Sequence, residues 1–356
     1  MPSFSRLRPY RLRKRTHWSG LTILEVLITL AILLVILVAV MQFMTNIDQA
    51  WTSAAADPFA EAQNAFETVA QNLASATLAP YQDYANSSGA FRANSAFVPD
   101  HLARRSDLDF VCGPGAGTNG LLTASGITTT GSGVFFLAPN GYTQTDAHTG
   151  MERLLNAMGY FVEFGDDDAA PSFILPQTHC WRWRLKQVEQ PAESLQIFAM
   201  TPASTWTSSA WIQQLVPSGA GLPVLAENVV TLIVLPERAA NDSGPALAPA
   251  YSYDSRDTTN LVTLHQLPPR VWLVLVAIDP TSAERLAGQN GSNPPQLIPS
   301  GLFQEPAQTN AVQQVTQLDA DLATLDSSLT AQKIGHRIFQ REILLTSSAW
   351  SNTPSP

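Results

Sequence analysis

The sequence predicts an α+β protein, with helices towards its two ends and a strand-rich body between them. Two observations predict this class. Near the N-terminus, nineteen uncharged residues (26–44) precede an amphipathic stripe, and the later chain carries short valine- and leucine-rich runs bounded by Gly, Pro, Asp and Ser. The chain has 356 residues, of which 45% are hydrophobic and 14% charged, so it is long and apolar enough for one large domain or two small ones.

Charge is distributed unevenly along the chain. Six of the 20 basic residues and none of the acidic ones lie in residues 1–20, so the rest has 14 basic against 29 acidic residues, a net charge of −15. An acidic body does not suit a phosphate backbone, which argues against nucleic acid as a partner. The basic leader is instead typical of a segment that stays in the cytoplasm beside a membrane.

The segment after the leader predicts a helix over residues 21–79 that spans a membrane in its first half. Residues 21–44 would extend about 36 Å as a helix, enough for a hydrocarbon core of about 30 Å. A secretory signal peptide has a shorter apolar core, followed closely by a cleavage site of small residues. The candidate cleavage site here, Ala54, Ala55 and Ala56, lies well beyond the end of the apolar segment. A plain uncleaved anchor fits the length but leaves Glu25 unexplained, because a carboxylate in lipid is costly.

Residues 20–26, GLTILEV, resemble the prepilin-type processing motif when read with the basic leader and the apolar segment. The resemblance implies that a membrane peptidase cuts after Gly20, that Leu21 becomes the methylated N-terminal residue, and that residues 1–20 are a cleaved leader. Leu21 and Leu24 stand where the family most often has phenylalanine and isoleucine. Both changes keep the apolar character of the motif.

Glu25 needs a positive partner in an apolar environment, because a buried ion pair with one member missing is strongly destabilising. Cleavage would give Leu21 a cationic amine. The amine of a neighbouring subunit and the subunit's own amine, four residues away, are the two candidate partners. The first is favoured, since an exposed i, i+4 pair contributes only tenths of a kcal/mol.

The residues after the apolar segment predict further elements. Ala62, Phe66, Val69, Leu73 and Ala76 form an apolar helical stripe, and Asp57-Pro58 indicates either a kink or the start of a second helix. A helix-to-strand step is expected over residues 151–158 and 160–164, strands over residues 108–112, 133–138, 181–188, 226–236, 269–279 and 337–346, and a linker over residues 288–306. Near the C-terminus a second amphipathic helix is predicted from Val312, Val315, Leu318, Leu322, Leu325 and Leu329.

The strand order of the body resembles the J-type minor pseudopilins of type II secretion. Residues 57–84 are more similar still to the Verru_Chthon cassette protein C family. These resemblances imply a pilin-like α+β fold, with a long N-terminal hydrophobic helix packed on an antiparallel β-sheet domain. They place the ectodomain at residues 80–350, followed by a disordered tail at residues 351–356.

Other chemistry-bearing residues give weaker signals. Cys112 and Cys180 are either one disulfide or two free thiols. Asp166 and Asp168 are weak calcium candidates, since consecutive carboxylates cannot all face one ion, and a solvated turn is the favoured interpretation. Trp181 and Trp183 alternate with Arg182 and Arg184, which indicates a cation–π ladder, a ligand face or a half-buried strand.

No catalytic motif supports an enzyme. Residues 115–120 spell G-x-G-x-x-G, but the residues that follow do not favour a helix and no acid lies at the required distance, so a surface loop is expected. No cofactor and no metal are expected.

The sequence therefore predicts a minor pilin or pseudopilin subunit in the inner membrane, with its N-terminus cytoplasmic and its body periplasmic. It is later part of a periplasmic or cell-surface filament. The expected partners are the prepilin peptidase/N-methyltransferase, other prepilin-like subunits, the inner-membrane assembly platform and membrane lipid. The alternative is a membrane-tethered periplasmic binding module or enzyme with an uncleaved anchor.

Overall fold

A computed structural model describes residues 23–54, 57–86, 97–117, 120–148, 150–151, 153–166, 180–199, 208–216, 221–242, 244–303 and 310–352. The chain divides into two compact units, Met1–Asp57 and Pro58–Pro356. The first contains α1 (Ile23–Ala54). The second contains helices α2 (Ala60–Ala74), α3 (Gln196–Ala199), α4 (Ser208–Leu215), α5 (Pro280–Asn290) and α6 (Ala311–Ala331), and strands β1 (Tyr81–Ala85), β2 (His101–Arg105), β3 (Phe110–Pro114), β4 (Thr129–Ala138), β5 (Asn156–Gly165), β6 (Arg182–Gln190), β7 (Val224–Glu227), β8 (Val229–Glu237), β9 (Tyr253–Asp254), β10 (Arg270–Ile278) and β11 (His336–Leu344).

One large sheet organises the second unit. Its strands follow the order β11-β10-β8-β4-β5-β6-β7, with β3 paired to β4 and β9 paired to β3, while β1 and β2 form a separate hairpin. All described pairings are antiparallel except that of β4 with β8. The chain between these two strands passes through β5, β6 and β7, which gives it the length that a parallel pairing needs.

The parallel pairing depends on a glycine. Gly131 lies opposite Leu232 with φ of +70°. A Cβ at this position would lie 2.1 Å from Thr231 Oγ1 and 2.3 Å from the Leu232 carbonyl oxygen. Only glycine has both the backbone freedom and the absence of a side chain that this close approach requires.

The sheet is curled, and α2 lies across one of its faces. Helix α2 packs against four strands, β11, β7, β10 and β4. Two of them, β11 and β7, lie at the two ends of the strand order. The apolar stripe predicted from the sequence is confirmed, because Ala62, Phe66, Val69, Leu73 and Ala76 are all buried. Glu61 Oε1 accepts the backbone N–H of Glu227 at 3.1 Å on the β7 side.

The predicted fold class, a long N-terminal hydrophobic helix packed on an antiparallel sheet, is wrong. No helix among the described residues is long and apolar enough to cross a membrane. Within the second unit, the fifteen-residue α2 packs on the sheet. An amphipathic helix can bury its apolar face on the sheet and expose its polar face to water. A helix that is apolar on every side has no polar face to expose. The sheet is mixed rather than antiparallel, because β4 and β8 run parallel.

Other elements show where local patterns succeed and fail. Strands β8, β10 and β11 and helix α6 occur where the sequence predicts them. The four predicted α6 leucines (318, 322, 325 and 329) are buried, whereas Val312, at the start of the predicted stripe, is exposed. The helix predicted over residues 151–158 is wrong, because β5 already begins at Asn156 and pairs with β4 and β6 on its two sides. Asp57-Pro58 is not a kink within one helix, because α1 ends at Ala54 and α2 begins at Ala60. A second helix does follow, but its N-cap is Phe59 and Pro58 lies before it.

Replacing Phe66 with alanine should destabilise the second unit markedly. The ring is 4% exposed, stacks on Phe339 with centroids 5.7 Å apart, and lies under the Arg341 guanidinium. We expect F66A to lower the free energy of unfolding by about 3–5 kcal/mol. Chemical denaturation of the wild type and F66A would measure the difference.

Glu67→Gln is the matched control, one residue further along the same helix. The Glu67–Arg341 ion pair is exposed on both sides, so its loss should change the free energy of unfolding by about 1 kcal/mol or less. Equal losses for the two variants would show that the apolar face of α2 does not hold it on the sheet.

Candidate functional site

The residues predicted for processing and assembly lie at the start of the chain. Gly20 and Leu21 lie outside the described residues. Glu25 belongs to α1 by its backbone, but its side chain is outside the description. Their roles in cleavage and assembly therefore stay predictions.

The described part of α1 has an unusual surface. Every large apolar side chain described from Ile23 to Met41 is exposed, with exposed fractions from 46% at Val26 to 85% at Ile23. Isolated monomeric proteins rarely expose contiguous apolar patches of this size, which usually mark contact with another protein or with lipid. The side chains of α1 are therefore suited to contacts outside this chain.

The two cysteines are free thiols in different environments. Cys112 is fully buried in β3, where burial raises the pKa of its thiol well above the ordinary value. Cys180 is half-buried, and its Sγ lies 3.5 Å from Arg182 Nη2. In the structure Cys112 and Cys180 are therefore two free thiols and not one disulfide.

The acidic turn carries no metal site in the described ranges. Asp168 lies outside them, and the Asp166 carbonyl accepts a hydrogen bond from Arg184 Nη1 at 2.9 Å. No group of three or more His, Cys, Asp or Glu side chains is placed to hold a metal ion among the residues described.

The Trp-Arg alternation forms strand β6, with the two residue types on opposite faces. Arg182 and Arg184 both pair with Glu227 on the neighbouring strand β7, at 2.9 and 3.4 Å. Trp183 is 4% exposed and packs against Phe164 with ring centroids 4.8 Å apart. The arginines therefore join strands, and the tryptophans contribute to an aromatic cluster with Phe164.

A buried polar network joins distant parts of the chain. Asp109 is fully buried and accepts hydrogen bonds from Trp211 Nε1 at 2.9 Å and from Ser255 Oγ at 2.8 Å. The Ser255 hydroxyl oxygen in turn accepts the backbone N–H of Phe110. Sequence reasoning missed this network, because its members are more than 100 residues apart and no local pattern connects them.

Glu237 is a second buried polar group that the sequence does not reveal. It ends β8, is fully buried, and both carboxylate oxygens lack a hydrogen-bond partner in the described part of the chain. Its nearest cation is Arg270, whose Nη2 lies 4.0 Å from Oε2. Burial raises the pKa of Glu237 to about 7, and the opposing attraction of Arg270 is too weak to compensate.

Comparisons with protein-family models, with curated proteins and with solved structures found no match to this chain.

The burial of Glu237 predicts a specific dependence of stability on pH. Its native pKa lies above the ordinary value of 4.5, so the folded state binds the proton more tightly than the unfolded state. The stabilising contribution is fully present below about pH 4.5 and is lost as the pH rises through about 7. The free energy of unfolding of the wild type should therefore fall by about 3 kcal/mol between these limits. In Glu237→Gln, which cannot titrate at this position, this fall should be absent.

Denaturant unfolding of the wild type and E237Q across this pH range would measure the difference. The exposed Glu284 of α5 provides the control, since E284Q should follow the wild-type curve. Parallel curves for wild type and E237Q would contradict the raised pKa.

Proposed function

We propose that this chain is the precursor of a minor prepilin-like subunit, which is cleaved after Gly20 and assembled into a pseudopilus, pilus or secretion-type filament. One observation carries the proposal: Gly20, Leu21 and Glu25 occur at the spacing of the processing motif. A 20-residue leader with six basic residues ends at Gly20, and nineteen uncharged residues follow Glu25. A simple tether has no need of a glycine and a carboxylate at these positions, whereas processing and assembly need both.

Electrostatics gives each of these residues a role in the proposal. Glycine before the cut lets the backbone lie extended in a protease cleft without steric cost. Cleavage creates a cationic amine on Leu21, which N-methylation leaves charged. Glu25 of one subunit pairs with the Leu21 amine of its neighbour, so that entry into the filament satisfies a carboxylate that lacks a partner in apolar surroundings.

The exposed apolar side chains of α1 support the same proposal. They need a covering surface, and neighbouring subunits in a filament provide one. Removal of the 20-residue leader would leave 336 of the 356 residues, a large subunit to repeat along a thin fibre. A minor position, such as the tip, accommodates such a body more easily than the shaft.

The proposal implies partners and a location. The partners are the prepilin peptidase/N-methyltransferase, other prepilin-like subunits, the inner-membrane assembly platform and membrane lipid, with no nucleic acid. The precursor would lie at the inner membrane with its leader in the cytoplasm and its body in the periplasm. The assembled subunit would belong to a periplasmic or cell-surface filament, without enzymatic activity.

Coexpression with a prepilin peptidase tests the cleavage. We expect N-terminal sequencing and mass spectrometry of the product to give a chain that starts at Leu21 with a methylated amine. Gly20→Val should block cleavage, because a β-branched residue restricts the backbone and fills the space in the protease cleft. Ser19→Ala, one residue earlier, should be cut normally. A wild-type product with any other start would contradict the proposal.

Glu25→Gln tests assembly separately from processing. We expect E25Q to be cut and accumulated as the wild type is, but to enter sheared filaments at least tenfold less, because the Leu21 amine of its neighbour would lose its partner. Quantitative immunoblotting of filament and cell fractions would measure this. E284Q removes a carboxylate from an exposed helix of the body and should assemble normally. Wild-type incorporation of E25Q would rule out the pairing.

A further inference from the structure

A proline-containing segment covers two adjoining cavities at one end of the sheet. This segment, residues 291–301, is here called the strap. The larger cavity has a volume of about 190 Å³ and lies between the start of β4, Trp183 and residues 294–298 of the strap. The smaller one, of about 10 Å³, lies between the same Trp183, Asn228 and helix α5. Trp183 and Pro295 line both cavities, so the two are neighbours in one cleft.

The strap has a glycine at each end and a buried side chain near its centre. It begins at Gly291 and ends at Gly301, and both glycines have positive φ, of +56° and +94°. Its hydrogen bonds within the described chain are local, such as that from the Leu297 N–H to the Pro295 carbonyl. The buried side chain of Leu297 holds its centre in place. Glycine ends and local bonding are typical of loops that open over a binding site.

The chemistry of the cleft favours an uncharged ligand. The only charged side chain that lines either cavity in the described residues is Arg182, and its charge is compensated by Glu227 at 2.9 Å. The remaining walls combine the indole of Trp183 and the Pro295 ring with threonine side chains from residues 128–130. The smaller cavity is mainly apolar, whereas the larger one presents polar and apolar surface in similar amounts, which suits a ligand with an apolar face and several polar groups.

Four polar atoms of residues that line the cleft have no hydrogen-bond partner within the described chain: Thr129 Oγ1, Arg182 Nε, Trp183 Nε1 and Asn228 Oδ1. Trp183 is 4% exposed, and its Nε1–H has no acceptor. Asn228 Oδ1 is buried and has no donor. Both residues line the smaller cavity, whose volume is that of about one probe sphere and so suits a single oxygen atom. A hydroxyl group satisfies both atoms at once, because its oxygen accepts from Trp183 while its hydrogen is donated to Asn228.

We propose that this cleft binds a neutral sugar in its pyranose form. The larger cavity, at about 190 Å³, exceeds the roughly 150 Å³ that holds a benzene molecule, so it has room for a six-membered ring. The apolar face of the ring packs on Trp183 and Pro295, its hydroxyls face residues 128–130, and one hydroxyl enters the smaller cavity between Trp183 and Asn228. This inference concerns the body of the protein and does not depend on filament assembly.

Binding of neutral pyranoses to the full-length protein tests the proposal. The probes are D-glucose, D-galactose, D-mannose and N-acetyl-D-glucosamine, each titrated at millimolar concentrations and followed by saturation-transfer NMR. At least one should bind, and Trp183→Phe should weaken it roughly fivefold, the effect expected for the loss of one neutral hydrogen bond. Trp272→Phe is the matched control, since the Trp272 Nε1–H also has no partner among the described residues but Trp272 lines neither cavity.

Asn228→Gly provides a second variant that preserves the fold. Asn228 has φ of +59°, which glycine adopts without strain, so the substitution removes the amide while keeping the turn. It should weaken the same sugar by a similar factor, and thermal unfolding of the unliganded variant would confirm that the fold is intact. Absence of binding by all four sugars, or equal affinity in wild type, W183F and N228G, would overturn the proposal and leave a cleft that holds water only.

Discussion

The contact of α2 with the curled sheet is the interaction on which the second unit depends. The main strand order of the sheet ends at β11 and β7, and unpaired outer backbone groups of such strands invite pairing with other chains. Helix α2 contacts both of them, buries its apolar stripe, and places Glu61 against the backbone of β7 and Glu67 against Arg341 of β11. One amphipathic helix thereby supplies core packing and contacts the strands at both ends of this order.

The curled sheet also explains where the buried polar groups lie. The Asp109 network connects β3 to α4 and to the segment after β9, and every polar atom that it uses has a hydrogen-bond partner. Glu237 has no hydrogen-bond partner in the described part of the chain, and burial therefore raises the pKa of its carboxyl at the end of β8. Asp109 stabilises the unit by accepting two hydrogen bonds, whereas Glu237 stabilises it only while it carries its proton.

The two units suggest a division of labour. The N-terminal unit carries the exposed apolar side chains of α1, and the proposed processing residues Gly20, Leu21 and Glu25 belong to the same stretch of sequence. The second unit has its own core and a cleft beneath the strap, at the end of the sheet where β6 and β8 begin. Filament assembly and sugar binding, the two proposals for this chain, are thus assigned to different residues and can succeed or fail independently.

The sequence by itself determined the features that depend on local periodicity and spacing: the α2 stripe, the strands β8, β10 and β11, helix α6, and the motif at Gly20, Leu21 and Glu25. Tertiary structure alone decided the parallel pairing of β4 with β8, the strand at residues 156–158, the burial of Glu237 and the cleft. The strap lies within a stretch that reads as a linker from its composition. The features that tertiary structure decided arise from contacts between residues far apart in sequence, where strand pairing and burial override the local preference of the chain.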